Sequence, residues 1–305
     1  MGMIKKFFIL VILVMLPFTY LHAERAEHVF SLSPLLGFVN GRSEEIVYKF
    51  PNSSEYLSLL LWDLRPLFYA GVAADFSPQN PFNNNGFIAN GSFRVGLPLV
   101  TGINENFDWL EEGDDYSHYS KHNVYSQRAF LADISLGYSW GLNDFLALST
   151  FGEISFMHFS WLARDGFGQY PWGDHTFSGR VVEYSQTWFI LSPGISLKGR
   201  INDFISLEGS FSYSPFPFCI ARDHHFDRGI VFNDYVWKGH HFKIGGRLFI
   251  SPIPVLNFSL NLNYRHITET RGDTLVGNSR YKNLAGAAYS AFDLGIMLWF
   301  NLWSF

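Results

Sequence analysis

The stretch Leu256-Asn257-Phe258-Ser259-Leu260-Asn261-Leu262-Asn263-Tyr264-Arg265 alternates apolar and polar side chains without a break. Successive side chains of an extended strand point to opposite faces, so this stretch has one apolar face and one wet face. A second run repeats the pattern: Ile205, Leu207, Phe211 and Tyr213 interleave with Ser206, Glu208, Ser210 and Ser212. The repeating period is that of a sheet, and the chain reads as all-β.

Working outward, segments of this kind fall near 29–49, 56–74, 86–100, 123–139, 143–162, 180–199, 203–220, 230–250, 255–269 and 284–305. That makes ten strands, an even number, as in bacterial outer-membrane barrels. A soluble sandwich would alternate as well, so the placement in a membrane rests on further features. The segments are long, aromatics gather near their ends, and the chain closes on Phe305 after Trp299, Phe300 and Trp303, with Asn301 interrupting the outer row. Short turns at Trp140-Gly141-Leu142-Asn143-Asp144, Gly199-Arg200-Ile201-Asn202-Asp203 and Ser251-Pro252-Ile253-Pro254 occupy alternate joints. The joints around 50–55, 101–122, 163–179, 221–229 and 270–283 are longer and more polar. In outer-membrane barrels the short turns face the periplasm and the long loops face outward. The expected fold is a ten-stranded antiparallel transmembrane β-barrel with long extracellular loops, its Trp and Tyr clusters at the membrane interfaces.

The N-terminus reads as a secretory signal over 1–23. Lys5-Lys6 precede an apolar core from Phe7 to Leu16, and Leu21-His22-Ala23 supplies a cleavage site before Glu24. Removing it takes away two lysines and moves the formal net charge from −5 to −7. Residues 24–305 then form a single barrel domain in the cell outer membrane. Of the 305 residues 18% are aromatic and only 16% are charged. There is no basic stripe for nucleic acid and no glycine-rich phosphate loop, so neither nucleic acid nor a cofactor is expected. Cys219 is the single cysteine, which excludes an intrachain disulfide and suggests a packing role. His224, His225, His240 and His241 do not suggest a metal site, because adjacent strand residues point opposite ways. A porin is disfavoured, since ten strands enclose too narrow a lumen for a wide aqueous channel.

The chemistry gathers at the outer joints. Asp223 and His225 lie two apart, so a strand puts them on one face, where the carboxylate can orient the imidazole while its other nitrogen takes a proton from water. The polar group to face them comes from Asn106-Phe107-Asp108-Trp109-Leu110-Glu111. The loop run Glu111-Glu112-Gly113-Asp114-Asp115 gives the mouth a negative field that would attract cationic peptides, although such a run is equally a solvated loop.

Taken in order, several short patterns resemble the omptin family. They are Gly41-x3-Glu45-x-Val47-Tyr48, Ser58-x-Leu60-x-Trp62, Asp108-Trp109, Ala163-Arg164 with Gly166, Tyr184-x-Gln186, Asp223-x-His225-Phe226, and Arg265 before Gly272-Asp273-Thr274. The resemblance covers nearly the whole mature chain. It implies a ten-stranded outer-membrane endopeptidase with its active site at the extracellular rim. There an Asp-His pair faces an Asp-x-Asp pair, water between them is the nucleophile, and cleavage falls beside basic residues. Carried over by position, Asp223 and His225 are the Asp-His pair and Asp108 is the second residue of the other pair. Asn106 stands at its first position. An amide can place a water but cannot take its proton. Asp108, lacking a carboxylate neighbour, is expected to titrate as an ordinary carboxylate. Glu105 or Glu111 could stand in for the missing acid.

Glu45 matches an acidic residue that receives the substrate's basic side chain. Ala221 falls where a second such acid is expected, and Arg222 adds a positive charge nearby, which would weaken or redirect the preference. Omptins also bind lipopolysaccharide through basic and polar residues on the outer wall. The corresponding places hold Ile154, Phe156, His158 and Thr187, so tight lipopolysaccharide binding is not expected. The implied partners are peptide or protein substrates and outer-membrane lipid. Two functions stay open: an omptin-like endopeptidase, and a catalytically inactive barrel acting in adhesion or ligand binding.

Overall fold

The computed structural model describes residues 28–113, 115–253 and 256–304, so the signal segment lies outside the described residues. The described chain is built from antiparallel strands: β1 His28–Tyr48, β2 Tyr56–Pro78, β3 Gly86–Gly96, β4 Val100–Asp108, β5 His118–Asn143, β6 Leu146–Tyr170, β7 Gly173–Arg200, β8 Ile205–Ser214, β9 Phe218–His225, β10 Ile230–Lys238, β11 His241–Ile253, β12 Leu256–Val276 and β13 Ser279–Ser304. β1 pairs with both β2 and β13, and the ring closes. β3 and β4 are lower and upper halves of one barrel strand between β2 and β5. Likewise β8 and β9 continue each other beside β7, while β10 and β11 both lie beside β12. Both the lower and the upper half of the barrel therefore contain ten strands, the expected number, and among the described residues the ring closes without a free edge below the hairpin tips.

Outward-facing side chains form an apolar belt. Leu36, Val72, Ile134, Ile154, Ile195 and Ile296 are among its exposed members. Its upper edge is a girdle of phenylalanines. Phe38 meets Phe68 at 6.1 Å between ring centroids, Phe93 meets Phe130 at 6.5 Å, Phe156 meets Phe189 at 5.3 Å, and Tyr264 meets Phe292 at 4.8 Å. Above this girdle the outward row turns polar, as in Thr187, Ser185 and Glu183 on β7.

The outer excursions are long, but they are built mainly as strand hairpins. β7 has 28 residues, whereas a tilted strand crosses a bilayer in roughly 9–11. The segments 101–122, 163–179 and 270–283, expected as loops, are largely the upper parts of β4 to β7, β12 and β13. Once both faces of a strand meet water the apolar alternation disappears, although the backbone ladder continues. At Gly166 (φ 121°) the β6 strand kinks, and a Cβ there would collide with the Lys121 carbonyl oxygen.

The lumen is closed rather than open. Trp62, Trp161, Trp188 and Tyr184 are fully buried inside it, and Trp62 stacks on Tyr184 at 5.1 Å. This corrects, for these four rings, the expectation that the Trp and Tyr clusters lie at the membrane interfaces: they fill the barrel, whereas Trp303 is exposed beside Phe30 at 5.7 Å and Tyr138 meets Trp140 at 5.1 Å near the short turns. Gln186 ties the plug across the ring. Its Nε2 donates to the Glu44 carbonyl at 2.8 Å and to the Tyr184 hydroxyl at 2.9 Å, and its Oε1 accepts from Trp188 Nε1 at 3.0 Å. Beneath the plug, inside the apolar belt, a cluster of charges is paired. Arg94 bridges Asp133 and Asp293, Arg265 reaches Asp133 at 2.8 Å, and Lys243 reaches Glu153 at 2.7 Å.

Candidate active site

Above the aromatic plug, polar side chains from facing strands gather inside the outer end of the ring. One wall is β9, whose inward row is Cys219, Ala221, Asp223 and His225, set by the strand's alternation. Asp223 is almost wholly buried, and its Oδ2 lies 2.5 Å from His225 Nε2. The other ring nitrogen, Nδ1, lies 3.1 Å from Nη2 of Arg228 in the turn after β9. A guanidinium can only donate, so Nδ1 is the acceptor there and the ring proton sits on Nε2 facing Asp223.

The opposite wall is β4. Asn106 and Asp108 share its inward face, with Asn106 Nδ2 3.5 Å from Asp108 Oδ2. The Ser58 hydroxyl, on β2 directly across from Asp108, donates to Asn106 Oδ1 at 3.3 Å. Asp108 does not behave as an ordinary carboxylate. Burial raises its pKa, and the Ser58 hydroxyl and the charges of Arg228, His118 and His225 offset part of the rise. The expectation from a missing carboxylate neighbour therefore failed because desolvation replaces charge repulsion as the cause of the shift. The same interactions place Asp108 within electrostatic reach of His225 and Arg228 on the facing wall. Glu105 is no substitute: it lies on the other face of β4, where Oε1 accepts from Tyr119 at 2.7 Å. Glu111 is exposed in the loop beyond β4.

Glu45, inward on β1, is 3% exposed. Burial first, and the nearby charges of Asp223 and Asp234 second, hold its carboxyl well above the usual range. Ala221 is buried in the same region. Arg222, one position on, is exposed on the outer face, so its charge does not enter the cleft as anticipated.

Sequence reading missed four participants. Arg228 and Asp234 carried no motif. His118 sits opposite Asp108 across the β4–β5 ladder, and Ser120, opposite Asn106, lies 3.1 Å from His122 Nε2. Strand register brings in Asp234, His118 and Ser120, and the turn after β9 brings in Arg228. On the outer wall, Phe156 meets Phe189 edge-on and His158 Nδ1 lies 2.9 Å from Thr187 Oγ1, a mostly aromatic surface.

A closed ten-stranded barrel with an apolar belt defines an outer-membrane barrel, and this one gathers ionisable side chains at the end that carries the long hairpins. The chain belongs to the omptin family, whose sequence profile matches residues 26–302. Omptins are outer-membrane endopeptidases. The fold is similar to the outer membrane protease OmpT from Escherichia coli, with a TM-score of 0.80 at 18% identity over 90% of this chain and 97% of that one. The attachment invasion locus protein of Yersinia pestis aligns with a TM-score of 0.31 at 13% identity, over 90% of this chain and 99% of that one. The Pseudomonas putida toluene transporter TodX aligns with a TM-score of 0.34 at 9% identity, over 92% of this chain and 90% of that one. No curated protein sequence matches the chain.

Proposed function

We propose that the protein is a surface endopeptidase that hydrolyses peptide bonds beside basic residues with a water activated between its two walls. The observation that carries this reading is the Asp223–His225 contact at 2.5 Å, with Asp108 within electrostatic reach on the facing strand. In the mechanism His225 is the general base, acting through Nδ1. Asp223 fixes the ring by accepting from Nε2–H and stabilises the imidazolium that forms. Water is held between His225 and the Asn106–Asp108 edge, its proton passes to Nδ1, and its oxygen attacks the scissile carbonyl. The proton then goes from His225 to the leaving amine. Glu45 receives the basic side chain. Arg228, which covers Nδ1, gives way when substrate enters. An export signal over 1–23 and a single barrel domain over 24–305 belong to the same reading.

Asn106 favours a second reading, an inactive barrel that binds ligands or surfaces, because the family's paired carboxylate is absent at that position. Cleavage of a mixed peptide library by the refolded protein, beside His225→Ala and Asn106→Asp, separates the two. Cleavage by wild type that His225→Ala removes supports the peptidase. Silence from all three, with the barrel folded, sinks it in favour of the binding barrel.

A further inference from the structure

Where the family resemblance calls for a second acid in the specificity pocket, this chain has Ala221, and the β9–β10 ladder sets Asp234 directly beside that alanine. Asp234 points inward, 5% exposed, with Thr274 opposite it on β12. It joins Glu45 from β1 and Asp223 from β9, which are 3% and 2% exposed. Each of the three keeps one carboxylate oxygen buried without a hydrogen-bond partner: Glu45 Oε2, Asp223 Oδ1 and Asp234 Oδ1. Among the described residues Glu45 and Asp234 form no ion pair with any cation. Buried polar atoms are normally satisfied, so three open acceptors converging on one place mark a missing donor.

The geometry points to Asp234 as a specificity-determining residue of this chain: it supplies, from β10, the second carboxylate that β9 lacks at Ala221, completing a pocket for a guanidinium. This rests on the peptidase reading for its role in catalysis, but not for the binding itself. A guanidinium brings five donors in a planar fork and no acceptor, which suits three carboxylates approaching from three strands better than the single point charge of an ammonium does. Ala221 itself carries no polar side-chain group to compete for the same donor. Burial raises the Asp234 carboxyl to about 7, with help from Asp223. The ionisable groups that face it are Glu45 on β1, Asp223 and Cys219 on β9, and Tyr184 on β7. None is a cation, so an arriving guanidinium displaces protons and binds more tightly as the pH rises through 7.

The test uses the full mature chain refolded in detergent, with folding checked by heat-modifiable gel mobility. N-acetyl-arginine amide and its neutral isostere, N-acetyl-citrulline amide, are titrated against the tryptophan fluorescence of the plug. Wild type is expected to prefer the arginine probe, more so at pH 8 than at pH 6. Asp234→Asn is expected to lose at least tenfold of that preference and its pH dependence, and Asp234→Asn with Ala221→Asp to recover them. Arginine binding absent from wild type, or a preference unchanged in folded Asp234→Asn, overturns the assignment. Should Asp234→Asn fail to fold, the double variant decides: loss of the arginine preference when the carboxylate moves to β9 would leave Glu45 and Asp223 without the partner role described here, and the assignment falls. Correct probe binding with no peptide cleaved would sink the peptidase reading and leave the pocket standing.

Discussion

Arg228 donates from Nη2 to His225 Nδ1 at 3.1 Å, on the ring edge opposite the one held by Asp223. Both nitrogens of the proposed base are thus engaged, one by the carboxylate that orients it and one by a cation that covers it. Substrate or water must displace the guanidinium before Nδ1 can accept a proton. Arg228→Ala removes a hydrogen bond of about 1.5–3 kcal/mol, and is expected to raise kcat/KM on an arginine-containing fluorogenic peptide by roughly tenfold. A fall in kcat/KM would mean that Arg228 holds substrate rather than covering the base.

Asn106→Asp places a second carboxylate beside Asp108, whose Oδ2 lies 3.5 Å from the amide nitrogen now there. Two neighbouring acids share a proton, so the Asp108 carboxyl, already raised by burial, moves up further. The variant is expected to cleave faster than wild type at neutral pH, with the acid limb of its pH–rate profile displaced upward. An unchanged rate and profile would show that the amide already does all that this position requires.

Asp234 also makes stability depend on pH. Its carboxyl titrates near 7 in the folded chain against a reference value of 3.8. The folded state therefore holds a proton that the unfolded chain has released between those values. Its contribution is complete below about 4 and is lost as the pH rises through 7. Asp234→Asn is therefore expected to remove a falling component from the pH dependence, so that the urea midpoint of the refolded variant gains on that of wild type as the pH rises from about 4 to about 8. A difference between the two midpoints that stays constant across this window would refute the assignment.

Gln186→Leu keeps most of the side-chain volume but strips Trp188 Nε1 of its acceptor inside the plug. Leaving a buried donor unsatisfied costs about 1–3 kcal/mol, to be read as a lower urea midpoint with an unchanged slope. Peptide cleavage is expected to fall too, since the same amide ties β7 to β1 beneath Asp223 and Glu45. No loss of stability would show that the bridge is dispensable.

Lipopolysaccharide is not expected to be a tightly bound activator. The wall around Phe156, His158, Thr187 and Phe189 is aromatic rather than a cluster of cations. Protein refolded in pure detergent should cleave peptide at a rate that added lipopolysaccharide changes by no more than about twofold, the scale of a weak surface interaction. Complete dependence on the lipid would contradict this.

Much of the barrel was legible because lipid imposes a simple rule. Where a strand has hydrocarbon on one side and a packed lumen on the other, its residues alternate, as they do from Leu256 to Arg265. The rule lapses above the girdle. Asn106 and Asp108 were placed at the outer end, yet the strand that carries them was read as ending at 100, because both its faces become polar. The motif residues were legible in the same local way. Asp223 and His225 share a face by period alone, and so do Asn106 and Asp108.

The sequence by itself therefore determined the strand period, the ten-stranded barrel and which residues are the candidates for acid–base chemistry, because each follows from near neighbours along the chain. Only the tertiary structure decided what those residues meet. Arg228 lies three positions from His225, but the turn is what aims its guanidinium at Nδ1. Asp234 meets Glu45 and Asp223 only because β1, β9 and β10 bring them to one level of a closed ring. Burial and charge depend on every strand around a group, and the order in which those strands close the barrel is not written in any one of them.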